Sequence, residues 1–179
     1  MRRAAGFTII EVAVVLLILS LLIGTTASNM QGLLPAAVTE AAAREVLGTI
    51  DFARTQAVAR GYPYVVLFDL DEQRYTIRTP FDLDGNPVAD PTSQTSLAWR
   101  SMREGAILVA LLDDTGERHE RGTWPLVFHP AGDSSDFWAY VGHEASELHL
   151  VTVRVLGLTG LATVMQGDIQ PQKVTENDF

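Results

Sequence analysis

A carboxylate, Glu11, stands at the mouth of an apolar run from Val12 to Ile23 that only Ser20 interrupts, and a short basic leader, Met1-Arg2-Arg3-Ala4-Ala5, precedes it. This arrangement constrains the chain more than any later feature. The stretch from Phe7 to Ala27 has 21 residues, roughly 30 Å as a helix, which just spans a bilayer core. A carboxylate is costly in such a segment, about 2.5–3.5 kcal/mol for an Asp at the bilayer centre. A secretory signal peptide has positive charge there and no use for an acid. Cleavage by a secretory peptidase after Ala27, where Thr25-Thr26-Ala27 is loosely small-residue, is therefore the competing reading and the weaker one. Glu11 needs a positive partner, and another copy of the same kind of helix supplies one most simply.

Gly6 followed by Phe7-Thr8-Ile9-Ile10-Glu11 and the apolar run resembles the class III signal of type IV pilins and type II secretion pseudopilins. The resemblance implies that a prepilin peptidase cuts between Gly6 and Phe7 and that Phe7 becomes N-methylated. It also implies that Glu11 forms the assembly salt bridge with the amine of a neighbouring subunit. Arg2 and Arg3 keep the N-terminal side cytoplasmic under the positive-inside tendency.

Beyond the span the helix continues. Val38, Ala42, Val46 and Ile50 recur every fourth residue, joined by Leu47, Ala53 and Ala57, so that one apolar stripe faces a core. Glu40, Arg44, Glu45, Asp51 and Gln56 fall largely off it. Pro35 should bend or interrupt this helix, and Gly61 suits its C-terminal end. After Gly61 the chain reads as strands, over 64–68, 74–78, 106–112, 126–129, 137–141, 149–156 and 161–165. A loop rich in Pro, Asp, Ser and Thr runs from Thr79 to Ser96. One helix followed by strands predicts an α+β domain in which an antiparallel sheet is laid on the helix. The expected organisation is a leader over 1–6, a transmembrane helix over 7–27, a helix extension over 28–61 and a β-rich globular domain over 62–179.

The helix end Ala53-Arg54-Thr55-Gln56-Ala57-Val58-Ala59-Arg60-Gly61, a strand ending in Phe68-Asp69, the turn Phe128-His129-Pro130-Ala131-Gly132 and a closing hairpin with Gly157 resemble the GspH/FimT family of minor pilin-like proteins. Two features depart from that pattern. Family pilins often carry a proline about 22 residues into the mature chain, whereas here it comes later, at Pro35; and the Thr79–Ser96 loop has no counterpart to align with. The resemblance implies a minor pseudopilin near the tip of a secretion pseudopilus, anchored once in the inner membrane with its globular domain periplasmic. Its implied partners are other pseudopilins, the prepilin peptidase and the inner-membrane assembly platform. The alternative is a minor pilin of a type IV pilus or DNA-uptake machine.

The chain has 13 Lys and Arg against 22 Asp and Glu, a balance of −9 that becomes −11 with the loss of Arg2 and Arg3. Nucleic-acid footprints are usually basic, and the segment from Asp168 to Phe179 is acidic, so no nucleic-acid partner is expected. The absence of cysteine excludes disulfides whatever the compartment. Catalytic patterns do not assemble. His119, His129, His143 and His149 are scattered and read as solvated loop or sheet residues, and His143-Glu144-Ala145-Ser146-Glu147 lacks the second histidine of a zinc helix. Asp82-Leu83-Asp84-Gly85-Asn86 has calcium-loop flavour but lacks the closing Glu, and reads as a polar turn. Ser134-Ser135-Asp136 has no nucleophile-elbow frame. Trp99, Trp124 and Trp138 read as core or half-buried rather than as interface anchors. No enzyme activity, cofactor or metal site is expected.

Overall fold

The structure, a computed structural model, describes residues 8–170, apart from the side chains of 22–33, 147 and 148. Gly6 and Phe7 lie outside the described residues. Two compact units, Met1–Leu34 and Pro35–Phe179, divide within a single helix, α1 (Ile9–Arg60). Thr8 caps its start: the Glu11 amide donates to the Thr8 hydroxyl at 3.3 Å and to the Thr8 carbonyl at 3.1 Å. Thr8 and Glu11 thus stand at the first and fourth positions of a capping box. Gly61 ends the helix with φ +72°, its amide donating to the Ala57 carbonyl at 3.0 Å, a left-handed cap that glycine adopts without strain.

Pro35 lies inside the helix and does not interrupt it. A proline removes one amide donor and costs about 3 kcal/mol within a helix, which packing of the following turns offsets. Two threonines are buried there without orphaned hydroxyls: Thr39 donates to the Pro35 carbonyl at 2.9 Å and Thr49 to the Glu45 carbonyl at 3.2 Å. Ala42, Ala43, Val46, Ile50, Ala53 and Ala57 form the buried stripe, with Val38 and Leu47 partly covered beside it.

The expected sheet proves to be two. The first has the order β3-β2-β1-β6, built from β1 (Tyr64–Asp69), β2 (Arg74–Arg78), β3 (Arg100–Ser101) and β6 (Thr123–Phe128). The second has the order β5-β4-β7-β8-β9, from β4 (Ala106–Leu112), β5 (Arg118–His119), β7 (Phe137–His143), β8 (Ser146–Leu156) and β9 (Leu161–Gln166). All pairings are antiparallel. Inward residues of both sheets join the helix stripe in one core, where the rings of Phe68 on β1 and Phe137 on β7 stack 5.4 Å apart. The outer face of the second sheet is also covered: Trp138, Tyr140, Ala110 and Leu112 form a smaller cluster. The Tyr140 hydroxyl donates to the Ile169 carbonyl at 3.0 Å.

The 79–96 loop is a folded excursion. The Thr79 amide donates to the Thr95 carbonyl and the Thr95 amide to the Phe81 carbonyl, each at 2.8 Å. At its tip Asp82 Oδ1 accepts from the amides of Asp84 (3.0 Å) and Asn86 (2.8 Å), the polar turn its residues suggest. These bonds favour the charged form and hold the carboxyl below its usual range.

Candidate assembly site

In the N-terminal unit the side chains from Ile9 to Leu21 are exposed, Ile9 at 91 %. Ser20, the one polar interruption of the run, donates its hydroxyl to the Leu17 carbonyl at 2.8 Å, so it brings no unsatisfied group into an apolar setting. Glu11 lies in the first turn, where the positive end of the helix dipole favours an acid. Among the described residues it forms no ion pair. A carboxylate without a partner therefore heads an uncovered apolar surface. Among the described residues no helix is long and apolar enough to cross a membrane.

In the second unit the sequence segments that carry the resemblance converge on Arg54. Its Nε donates to the Thr159 carbonyl at 2.9 Å and to the Gly132 carbonyl at 3.2 Å. One helical side chain thereby ties the 128–132 turn to the β8–β9 hairpin. Gly132 closes the turn with φ +88° and donates to the His129 carbonyl at 2.9 Å. Gly157 is packed against backbone: its amide donates to Asp136 Oδ1 at 2.7 Å, and a Cβ there would sit 2.8 Å from the Asp136 nitrogen. The periodicity of α1 gives no hint of the Arg54 role, which depends on two distant carbonyls.

The β4–β5 hairpin holds the described cluster with metal-ligand chemistry: Asp113, Glu117 and His119 each offer a ligand atom within 4.8 Å of the others. Two of its three groups, the Asp113 carboxylate and the His119 ring, are already paired with each other. Asp113 Oδ1 accepts from the Thr115 hydroxyl (2.6 Å), the Thr115 amide (3.0 Å) and the Glu117 amide (2.9 Å), and Oδ2 lies 2.9 Å from His119 Nε2. His119 corrects the expectation of a solvated residue: it is 7 % exposed, because its ring stacks on Trp124 with centroids 3.5 Å apart. Trp138 is buried, Trp124 half-buried and Trp99 exposed.

The Thr115 hydroxyl first, with His119 and the two amides, holds the Asp113 carboxyl well below its usual range. A depressed folded value stabilises the native state above the unfolded pKa, about 3.9. That contribution is lost as pH falls below it. Wild type should therefore exceed Asp113→Asn in melting temperature at pH 7, with the gap narrowing below about pH 4. A constant gap across melts at pH 7, 4 and 2.5 would contradict this assignment.

Residues 1–27 match the prokaryotic N-terminal methylation motif, and residues 42–157 match the family described as type II transport protein GspH. The chain belongs to the GspH family. Two solved structures of the minor pseudopilin EpsH, from the type II secretion system of Vibrio cholerae, share the fold. Their TM-scores are 0.50 and 0.53 at 15% and 13% identity, over 75% and 78% of this chain and 98% and 99% of theirs. The type IV minor pilin FimU of Pseudomonas aeruginosa aligns at a TM-score of 0.44 and 12% identity, over 76% of this chain and 99% of that one. No curated protein matches in sequence. The matched stretch runs from Ala42 in α1 to the closing hairpin at Gly157.

Proposed function

We propose that this chain is a minor pseudopilin of a type II secretion system, acting as a structural subunit and not as an enzyme. The GspH match over 42–157 together with the methylation motif over 1–27 carries the reading. In this reading the peptidase cuts between Gly6 and Phe7, Phe7 is N-methylated, and the apolar stretch from Phe7 to Ala27, an anchor on its sequence alone, holds the chain once in the inner membrane. The N-terminus is cytoplasmic and the domain from Pro35 onward periplasmic. Glu11 meets the terminal amine of a neighbouring pseudopilin as the assembly platform adds the subunit to the fibre near its tip. Burying the carboxylate becomes tolerable when an opposite charge accompanies it. Neither a cofactor nor a nucleic acid takes part.

The test compares wild type with Glu11→Ala in a strain lacking the native gene. Both proteins should show the mass of a chain beginning at methylated Phe7. Glu11→Ala should be absent from sheared fibres and should fail to restore export of folded protein. A chain beginning at Ser28 would overturn the processing, and full export with Glu11→Ala would overturn the pairing. Intact export but lost surface pili or DNA uptake in the deletion strain would move the protein to a type IV pilus.

A further inference from the structure

The outer edge of the first sheet is open. Segment 95–99 runs beside β2 and turns alternate backbone groups inward. The Thr95 carbonyl accepts from the Thr79 amide and the Leu97 amide donates to the Ile77 carbonyl, each at 2.8 Å, while the Leu97 carbonyl accepts the Thr76 hydroxyl at 2.8 Å. Ser96 bridges Arg78 between those bonds, so antiparallel alternation points its amide and carbonyl outward. Among the described residues its amide has no acceptor. Natural edges of this kind are blunted by charge, proline or a bulge, or covered. Ser96-Leu97-Ala98-Trp99 carries neither charge nor proline, its register against β2 shifts by one residue before Arg100, and Leu97 is 47 % and Trp99 41 % exposed.

Two apolar hollows lie between this edge and α1. One of about 290 Å³ is lined by Gly48, Phe52, Leu97 and Arg100, the other, of about 350 Å³, by Phe52, Arg60, Phe81 and Leu97. Phe52 and Leu97 belong to both, which makes one trough along the edge. Its rim is basic in a chain of net charge −9. Among the described residues the lining Arg60 and Arg100 have no carboxylate within ion-pair distance. Pairing this edge with its own copy would bring these arginines together, and like charges across strands destabilise.

We infer that the Ser96–Trp99 edge accepts an extended segment of a different pilin-like subunit as an added strand. Alternate apolar side chains of that segment enter the trough, and its carboxylate meets Arg100 and Arg60. Main-chain bonds provide affinity in this mode and the hollows provide selectivity. The inference rests on the assembly reading above, but not on the choice between secretion and pilus.

The chain has no cysteine, so Ala98→Cys in the full-length protein carries a benzophenone maleimide at one place. Irradiated membranes should yield an adduct that maps to an extended, carboxylate-bearing segment of another pilin-like subunit. The same label at Leu158→Cys should not yield it. Ser96→Pro, which removes an outward amide, and Arg100→Glu should each reduce the adduct at least tenfold without changing the melting temperature of the domain. If Ser96→Pro lowers the melting temperature, Arg100→Glu alone decides. No adduct, an adduct only with a second copy, an adduct to a helical segment, or indifference to Arg100→Glu would overturn the inference while the chain is present in sheared fibres. Absence from those fibres would overturn the assembly reading itself.

Discussion

Ile50→Asp should abolish cooperative unfolding of the Pro35–Phe179 unit. Ile50 is fully buried in the core that α1 shares with both sheets. Burying a hydrophobic side chain of this size contributes about 1.5–3 kcal/mol. The aspartate loses that contribution and places a charge in an apolar cluster, a combination among the severe mechanisms for a single substitution. The whole stability of a domain is about 5–15 kcal/mol, so little or none should remain. Glu45→Lys, one turn earlier on the exposed side, breaks an ion pair with Arg103 at 2.8 Å in which both side chains are about half exposed. Such pairs contribute about 0–1 kcal/mol, and the melting temperature should fall by only a few degrees. Matching melts for the two variants would refute the packing of this stripe.

Gly160→Ala should cost about 2–4 kcal/mol, read as a lower denaturation midpoint at unchanged slope. Gly160 has φ +60°, and a Cβ there falls on the Gly132 carbonyl oxygen, with Arg54 Cδ and Nε each 3.1 Å away. That oxygen is one of the two that Arg54 holds, so the methyl group pushes apart the turn, the hairpin and the helix together. Gly116→Ala separates strain from collision: its φ is +80° with nothing within 4 Å of a Cβ, and the left-handed backbone alone costs about 1–2 kcal/mol. Equal losses at the two positions would show that the contact with Gly132 does not matter.

The helix stripe was legible because 3.6-residue periodicity is a local signal, and Val46, Ile50, Ala53 and Ala57 are buried as that spacing requires. The division into two sheets was not. β1 pairs with β6, Val65 opposite Val127, and no nearby residue announces a partner that distant. β7 hid its role differently. Phe137, Ala139 and Val141 face the main core while Trp138 and Tyr140 face the smaller cluster, so both sides are covered and no alternation marks which side points in. β3 and β5, two residues each, are too short for any period. His119 looked solvated in a polar stretch because only the fold brings the Trp124 ring onto it. Of the assembly motif, Glu11 was legible as an acid out of place; it is exposed and, among the described residues, forms no ion pair. The open edge at Ser96–Trp99 was not legible, since it follows a long loop and meets β2 through a single isolated bridge at Ser96, which no sequence period marks.

The Arg54 junction also imposes an order on the making of this molecule. Its two acceptors lie 78 and 105 residues further along the chain. At about 5–20 residues per second of synthesis, roughly 5–20 s separate the arginine from the Thr159 carbonyl that secures it. Throughout that interval the nascent helix carries an apolar stripe whose covering strands are still emerging. Contacts of such long sequence separation also make folding slow. The newborn subunit is therefore open to capture by other chains, until its last hairpin arrives and closes on the helix.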